Sequence, residues 1–256
     1  MRAAIKPDRA MRLISVSAAL LTLVLAWAAA SALVHKPFLP SPGAAAERLV
    51  RRMGDGALAR HLGASAKRVG LALLAAAPAA AALGLAAGRS KRLDAFVSPF
   101  VYLLHPLPKV AFLPIIMLVL GLGDAAKIFL IALIIFGQVI VSARDAARAV
   151  PEALIESMRS LGAGRAAIAR HVVLPSALPA LLSGLRVSLG TAIAVLFIAE
   201  SFASESGLGW YIVDAWTRVD YVDMYAAILA LALFGLAAYL LVDAAEAALC
   251  RWRETD

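Results

Sequence analysis

The sequence predicts an all-α polytopic membrane protein with about six transmembrane helices, and three observations carry this. Of its 256 residues 62% are hydrophobic, whereas soluble domains run to about 45–50% apolar. Mean hydropathy is +0.85, and several apolar runs approach or exceed the roughly 20 residues that cross a hydrocarbon core. No series of roughly 10-residue stretches of alternating polarity, the mark of a transmembrane barrel, stands out. The net charge of +8 does not gather in an aromatic-rich patch. The basic residues sit at the edges of apolar runs, where the positive-inside rule places them. The lipid bilayer is therefore the expected surrounding, and no nucleic acid. Cys250 stands alone, which excludes an intrachain disulfide and a zinc spacing.

The first span is predicted over residues 13–34. A basic segment precedes it and "AWAAASALV" offers small residues for cleavage, but the apolar run is 22 residues long. A signal h-region has about 7–15, so a retained helix is expected over a cleaved signal. A linker over 35–68 opens with three prolines and carries Leu49, Val50, Met53, Leu58 and Leu62, read as short amphipathic pieces at the interface. The remaining spans are predicted over 69–88, 95–121 (interrupted by "HPLPK"), 126–142, 177–199 and 224–249. This divides the chain into an N-terminal helix with linker, 1–66, and a core of five helices, 67–256, with a cytoplasmic loop over about 144–175.

Charge orients these spans. Arg2, Lys6, Arg9 and Arg12 precede the first, Arg89, Lys91 and Arg92 follow the second, and Arg251 and Arg253 follow the sixth. Arg144, Arg148, Arg159, Arg165 and Arg170 lie between the fourth and fifth. Six spans put all of these on one side, so both termini are expected in the cytoplasm. The opposite loops are acidic, with Asp124 in one and Glu200, Glu205, Asp214, Asp220 and Asp223 in the other. The linker dissents: Lys36, Arg48, Arg51, Arg52, Arg60, Lys67 and Arg68 fall outside. Either its arginines lie along the headgroups or the first span is misassigned. Small residues at helical spacing in the second span, such as Ala75 and the pair Pro78–Ala82 four apart, suggest helix packing. No internal repeat is visible, unlike many secondary transporters, so symmetry is expected from a homodimer.

The polar stretch "ESMRSLGAGRAAIARHVVLPS" (156–176) interrupts this apolar chain. Pro151 suits a first helical position, and Glu152 opposes the positive end of the helix dipole. Leu154, Met158 and Leu161, with Ile155 beside them, form one apolar stripe, and Gly162 follows where a C′ glycine ends a helix. An amphipathic helix over 151–161 is predicted, then a second piece over 163–171, with Pro175 and Pro179 turning the chain into the fifth span. Such a feature serves either as a surface helix in the headgroups or as a docking element for a cytoplasmic partner.

The spacing is specific. Glu156-Ser157-Met158, three residues, Gly162, nine residues, Val172, one residue and Leu174-Pro175 resembles the cytoplasmic "EAA" loop of ABC importer permeases, Glu-Ala-Ala-x3-Gly-x9-Ile-x-Leu-Pro. It departs at Ser157 and Met158, where the family has alanines, and has Val172 for Ile. The stretches 105–128, 183–200 and 206–215 extend the likeness to the nitrate, sulfonate and taurine subgroup over about residues 45–253. The resemblance implies a type I permease fold, a bacterial inner-membrane location and a translocation role without catalysis. It further implies a loop docked on separate cytoplasmic ATPase subunits, and a binding protein that delivers substrate outside. Glu152, Leu154, Ile155, Glu156, Ser157, Met158, Leu161, Gly162, Val172, Leu174 and Pro175 are the expected coupling residues. The chain has no phosphate-binding loop of its own, so no cofactor is expected on it and ATP belongs to the partner.

For the translocation pathway, His105, Pro106, Pro108 and Lys109 are candidates, because prolines break backbone bonding where lipid does not satisfy it. The competing reading is a kink with a snorkelling lysine. Arg186 and Glu200 complete the candidates: the former lines a pathway or pairs with a carboxylate, and the latter ends a span as an interface residue. Two other functional classes fit the chain less well. A secondary transporter needs coupling carboxylates near mid-membrane, and the Asp and Glu residues sit at span edges or in loops. A membrane enzyme lacks support, since neither H-E-x-x-H nor G-x-S-x-G occurs and His35, His61, His105 and His171 lie on unrelated elements.

Overall fold

The computed structural model describes residues 9–104 and 106–252, with side chains from Val16 onward; Arg2, Lys6 and Arg253 lie outside the described residues. All regular elements among them are helical. They are α1 (Arg9–Val34), α2 (Pro42–Gly54), α3 (Ala57–Arg89), α4 (Lys91–Leu104), α5 (Leu113–Leu120), α6 (Asp124–Arg148), α7 (Glu152–Ser160), α8 (Arg165–Ile168), α9 (Leu174–Ser201), α10 (Leu208–Thr217) and α11 (Tyr221–Leu249). A 3-10 turn (Lys109–Phe112) precedes α5 and a π turn (Ala169–Val173) joins α8 to α9.

Five helices are long and apolar enough to cross a membrane: Val16–Val34, Ala57–Arg89, Asp124–Arg148, Arg165–Ser201 and Tyr221–Leu249. The pair Lys91–Leu104 and Lys109–Leu120 bends by 82° and makes a sixth if taken as one span. The interruption expected at "HPLPK" is therefore a sharp break, because Pro106 and Pro108 donate no backbone hydrogen bond.

By contact the chain forms two units. One takes in the described residues up to Ala59 together with Tyr211–Ala230, the other Arg60–Trp210 with the described residues from Leu231 on. In the first unit the Ser41 hydroxyl accepts the Ala44 N–H at 3.3 Å and Pro42 opens α2, a serine cap followed by proline. In the second, α6 lies at the centre. Its Leu130, Ile131, Ile134 and Ile135 are buried in one cluster with Leu189, Ala192, Val195 and Leu196 of α9. Helix α3 meets α6 through Gly84 and Gly88. A Cβ on Gly84 would stand 2.5 Å from both the Ala143 side chain and the Ile140 carbonyl oxygen. This close approach of α3 begins two residues beyond Ala82, just past the small residues from which packing was expected, and follows the small-xxx-small logic of membrane helices.

Two boundaries differ from expectation. The linker does not continue in short pieces to residue 68; α3 begins at Ala57 and runs 33 residues without a break. Its first turns hold polar residues because these have partners, as shown below. Nor does the chain turn at Pro175. The helix continues from Arg165 to Ser201, and the π turn at 169–173 widens the helix just ahead of the proline, whose ring would otherwise clash with a carbonyl one turn earlier.

Candidate functional site

Helix α7 begins after Pro151, whose extended backbone makes it the N-cap rather than the first helical residue. At its other end Gly162 has φ +80°. The Gly162 N–H donates to the Arg159 carbonyl at 2.9 Å and the Ala163 N–H to the Met158 carbonyl at 3.0 Å. These two bonds form a Schellman motif, so the glycine stop read from the sequence has its full hydrogen-bonded form.

The expected single apolar stripe is divided. Ile155 is buried, and Met158 packs beside it against Ala147, Val150, Ile168, Val172 and Val173. Leu154 and Leu161 point the other way, 49% and 81% exposed. One helical face therefore presents Leu154, Ser157 and Leu161 outward, with Glu156 exposed beside them. The Ser157 hydroxyl donates to the Ala153 carbonyl at 2.8 Å, which uses its proton within the helix. Of the remaining expected coupling residues, Val172 is buried, Leu174 is exposed and Pro175 is half-buried in α9. Glu152 braces the helix to the end of α3, accepting from Arg89 at 2.7 Å with Arg159 at 3.7 Å. The Arg89 hydrogen bond holds the Glu152 carboxyl below the usual carboxylate range.

At the opposite end of the second unit, charges that the sequence left unpaired meet. Arg68 and Glu200 are both buried, and the arginine donates to the carboxylate at 2.6 Å. Glu200 also accepts from Ser65 Oγ at 2.9 Å and from the Gly209 N–H at 2.9 Å. Ser65 Oγ in turn accepts the Leu208 N–H at 2.8 Å, so the cluster caps the start of α10. Arg68 also reaches Asp124 at 2.7 Å and donates to the Ser206 carbonyl at 2.8 Å. Lys67 meets Asp124 at 3.2 Å. The stretch "SGLG" follows from this geometry: Gly207 has φ +110°, and any Cβ there would strike the Glu200 carboxylate. In the first unit Arg48 and Arg52 both reach the buried Asp223 at 2.9 Å, and Arg48 reaches Asp220 at 3.1 Å. The Tyr211 hydroxyl donates to Asp223 at 3.0 Å. Burial and the Asp223 charge push the Tyr211 phenol up to about 12. Arg48, Arg52 and Arg68 thus answer carboxylates of the acidic loops, which neither of the two readings offered for the linker had foreseen, while Arg51 pairs with Glu47 within α2.

The residues proposed for a pathway are not drawn into one site by their contacts. His105 lies outside the described residues. Pro106 is exposed and Pro108 caps the 3-10 turn. Lys109 Nζ donates to the Leu104 carbonyl at 2.9 Å, occupying an acceptor that the break after α4 leaves open. The same lysine borders a cavity of about 390 Å³ lined otherwise by apolar side chains including Phe96, Phe100 and Phe136. Arg186 pairs with Asp243 and with Glu246, the latter at 2.6 Å, and its guanidinium lies 5.2 Å from the centre of the Tyr239 ring. Of the two readings for Arg186, the carboxylate pair is the one present. Glu200, read as an interface residue that also borders a pathway, is instead fully buried with both oxygens hydrogen-bonded. Sequence reasoning passed over Gln138, whose amide donates to Thr191 Oγ1 at 3.2 Å between α6 and α9. Its signal was an amide amid an apolar run.

Residues 78–254 match the family model of the binding-protein-dependent transport system inner membrane component. The chain is 35% identical over 229 residues to the taurine transport system permease protein TauC of Escherichia coli (strain K12), covering 86% of this chain and 83% of that one. A permease assigned to aliphatic sulfonate transport in Bacillus subtilis (strain 168), SsuC, is 32% identical over 87% of this chain and 80% of its own. The riboflavin transport system permease protein RibX of Chloroflexus aurantiacus is 31% identical over 91% and 88%. Helical spans, a matched family model and relatives of nearly full length agree: the chain belongs to the binding-protein-dependent transport system inner membrane components, the membrane permeases of ABC importers.

Proposed function

We propose that this permease couples to a separate cytoplasmic ATPase through the outward face of α7. The observation that carries the reading is the exposure of Leu154, Ser157 and Leu161 on a helix whose inner side, Ile155 and Met158, is held in the chain's own core. Two large apolar residues on a polar, capped and braced helix are shaped for a protein partner rather than for water. Met158, in place of the smaller family residue, points inward, so its bulk is absorbed by this chain. Ser157 faces the partner with its hydroxyl proton engaged. ATP is bound by that partner, and two permease copies form the pathway, with both termini in the cytoplasm.

The decisive experiment is Leu154→Ser combined with Leu161→Ser in the intact transporter. Both side chains are exposed, so the melting temperature of the permease is expected to stay unchanged. Co-purification of the ATPase and substrate uptake are expected to fall together. Wild-type uptake with normal ATPase binding would overturn the proposal.

For the substrate, the names of the taurine and sulfonate relatives favour a small organic sulfonate, with riboflavin the second reading because of the permease RibX. Calorimetry of the cognate binding protein against taurine, alkanesulfonates and riboflavin separates them, and heat with riboflavin alone would reject the sulfonate.

A further inference from the structure

Behind α7, on the side turned away from its exposed leucines, lies a cavity of about 820 Å³. Its rim carries Arg89, Arg159 and Arg165, and its wall includes Leu85, Ile168 and Val173. Among the described residues these three guanidiniums have one carboxylate, Glu152, which Arg89 and Arg159 share. The rim therefore keeps a net charge of +2, from three arginines less one glutamate. The wall begins at Ala82 on α3, seven residues before its end at Arg89, a rise of about 10 Å along a membrane-spanning helix. An arginine rim over an apolar wall that continues into a span is complementary to one kind of molecule, with a phosphate at one end and hydrocarbon at the other.

We infer that this cavity is a binding site for an anionic phospholipid, its headgroup phosphate on Arg159 and Arg165 and its acyl chains along α3 and the α8–α9 segment. Basic pockets between helices at the membrane surface recognise acidic headgroups in this way. Guanidinium suits the task because it grips phosphate with two parallel hydrogen bonds. An ATPase does not compete for the space, since the surface proposed for it is on the other side of α7. Lipid bound here sits against Arg159 of that helix, so occupancy bears on the position of α7.

The test uses the full-length permease in detergent, with native mass spectrometry of bound lipid after addition of phosphatidylglycerol or phosphatidylcholine. Phosphatidylglycerol is expected to be retained preferentially. Arg159→Gln and Arg165→Gln are each expected to weaken it roughly fivefold, the equivalent of about 1 kcal/mol per arginine. Arg92→Gln, at a basic residue near the start of α4 that does not line the cavity, should leave retention unchanged. Circular dichroism melts of each variant verify the fold, and Arg159→Lys with Arg165→Lys gives a second reading that keeps charge and removes the fork. Equal retention of the two lipids, or wild-type retention in the double glutamine variant, would overturn the proposal. So would displacement of the lipid by glycerol phosphate at equal concentration, which would mark a site for free anions.

Discussion

Glu200 has both carboxylate oxygens committed, to Arg68, to Ser65 and to the start of α10. Removing the carboxylate leaves the buried guanidinium only the partly exposed Asp124 as charge partner, and breaking a buried pair costs about 3–5 kcal/mol. Glu200→Ala is expected to lower the melting temperature of the purified permease sharply. Combining it with Arg68→Met should recover part of the loss, because an apolar pair leaves no stranded charge. A single variant as stable as wild type would show the cluster to be unimportant. Val219 offers the opposite case. It holds φ +61° at the end of α10, where the Asp220 N–H donates to Ala215 and the Val219 N–H to Trp216. A β-branched residue in the left-handed region carries strain of about 1–2 kcal/mol. Val219→Gly is therefore expected to raise stability by about 1 kcal/mol, read from denaturation midpoints. Tyr211 gives a pH prediction. Its folded phenol titrates near 12, above the ordinary value near 10. The stabilising term is therefore complete below pH 10 and is lost as pH rises through about 12. Phenolate absorbance of wild type and Tyr211→Phe should coincide up to that range and separate only above it.

Among elements, α7 was the most legible. Glutamate after proline at its start and glycine at its end are local signals, and hydrogen bonding within one turn is enough to satisfy them. What periodicity did not resolve was which leucines face inward. Leu154, Ile155, Met158 and Leu161 occupy one broad arc, and only the cluster around Ile168 and Val172 selects Ile155 and Met158. The start of α3 was misread for a related reason. Arg60, Lys67 and Arg68 look too polar for a span, until carboxylates from remote loops neutralise two of them. The contact of α3 with α6 gives a test at this scale. A side chain at Gly84 would meet Ala143 and the Ile140 carbonyl, and backbone cannot retreat cheaply inside a packed core. Gly84→Leu is expected to abolish stable expression, whereas Gly70→Leu, where nothing lies within 4 Å, should be tolerated. Equal expression of the two would contradict the packing described here.

For the whole molecule, the number of spans, the basic flanks and the spaced Glu-Gly-Leu-Pro residues all lie in the order of residues along the chain. A fluorescent protein fused to the C-terminus is expected to fold and fluoresce, as it does only in the cytoplasm, and a dark fusion would reverse the proposed orientation. The sequence by itself determined that the chain crosses a membrane several times, where it breaks at the prolines, and which family it joins. Hydrophobic length, helix stops and motif spacing are properties of neighbouring residues. The tertiary structure alone decided that Arg48, Arg52 and Arg68 answer loop carboxylates, that Arg186 is paired within the helix bundle and that Met158 points inward. It also brought three arginines around one cavity. Those outcomes depend on residues tens to more than a hundred positions apart being brought together, and for charge in a low-dielectric setting the partner's position, not the residue's type, sets the energy.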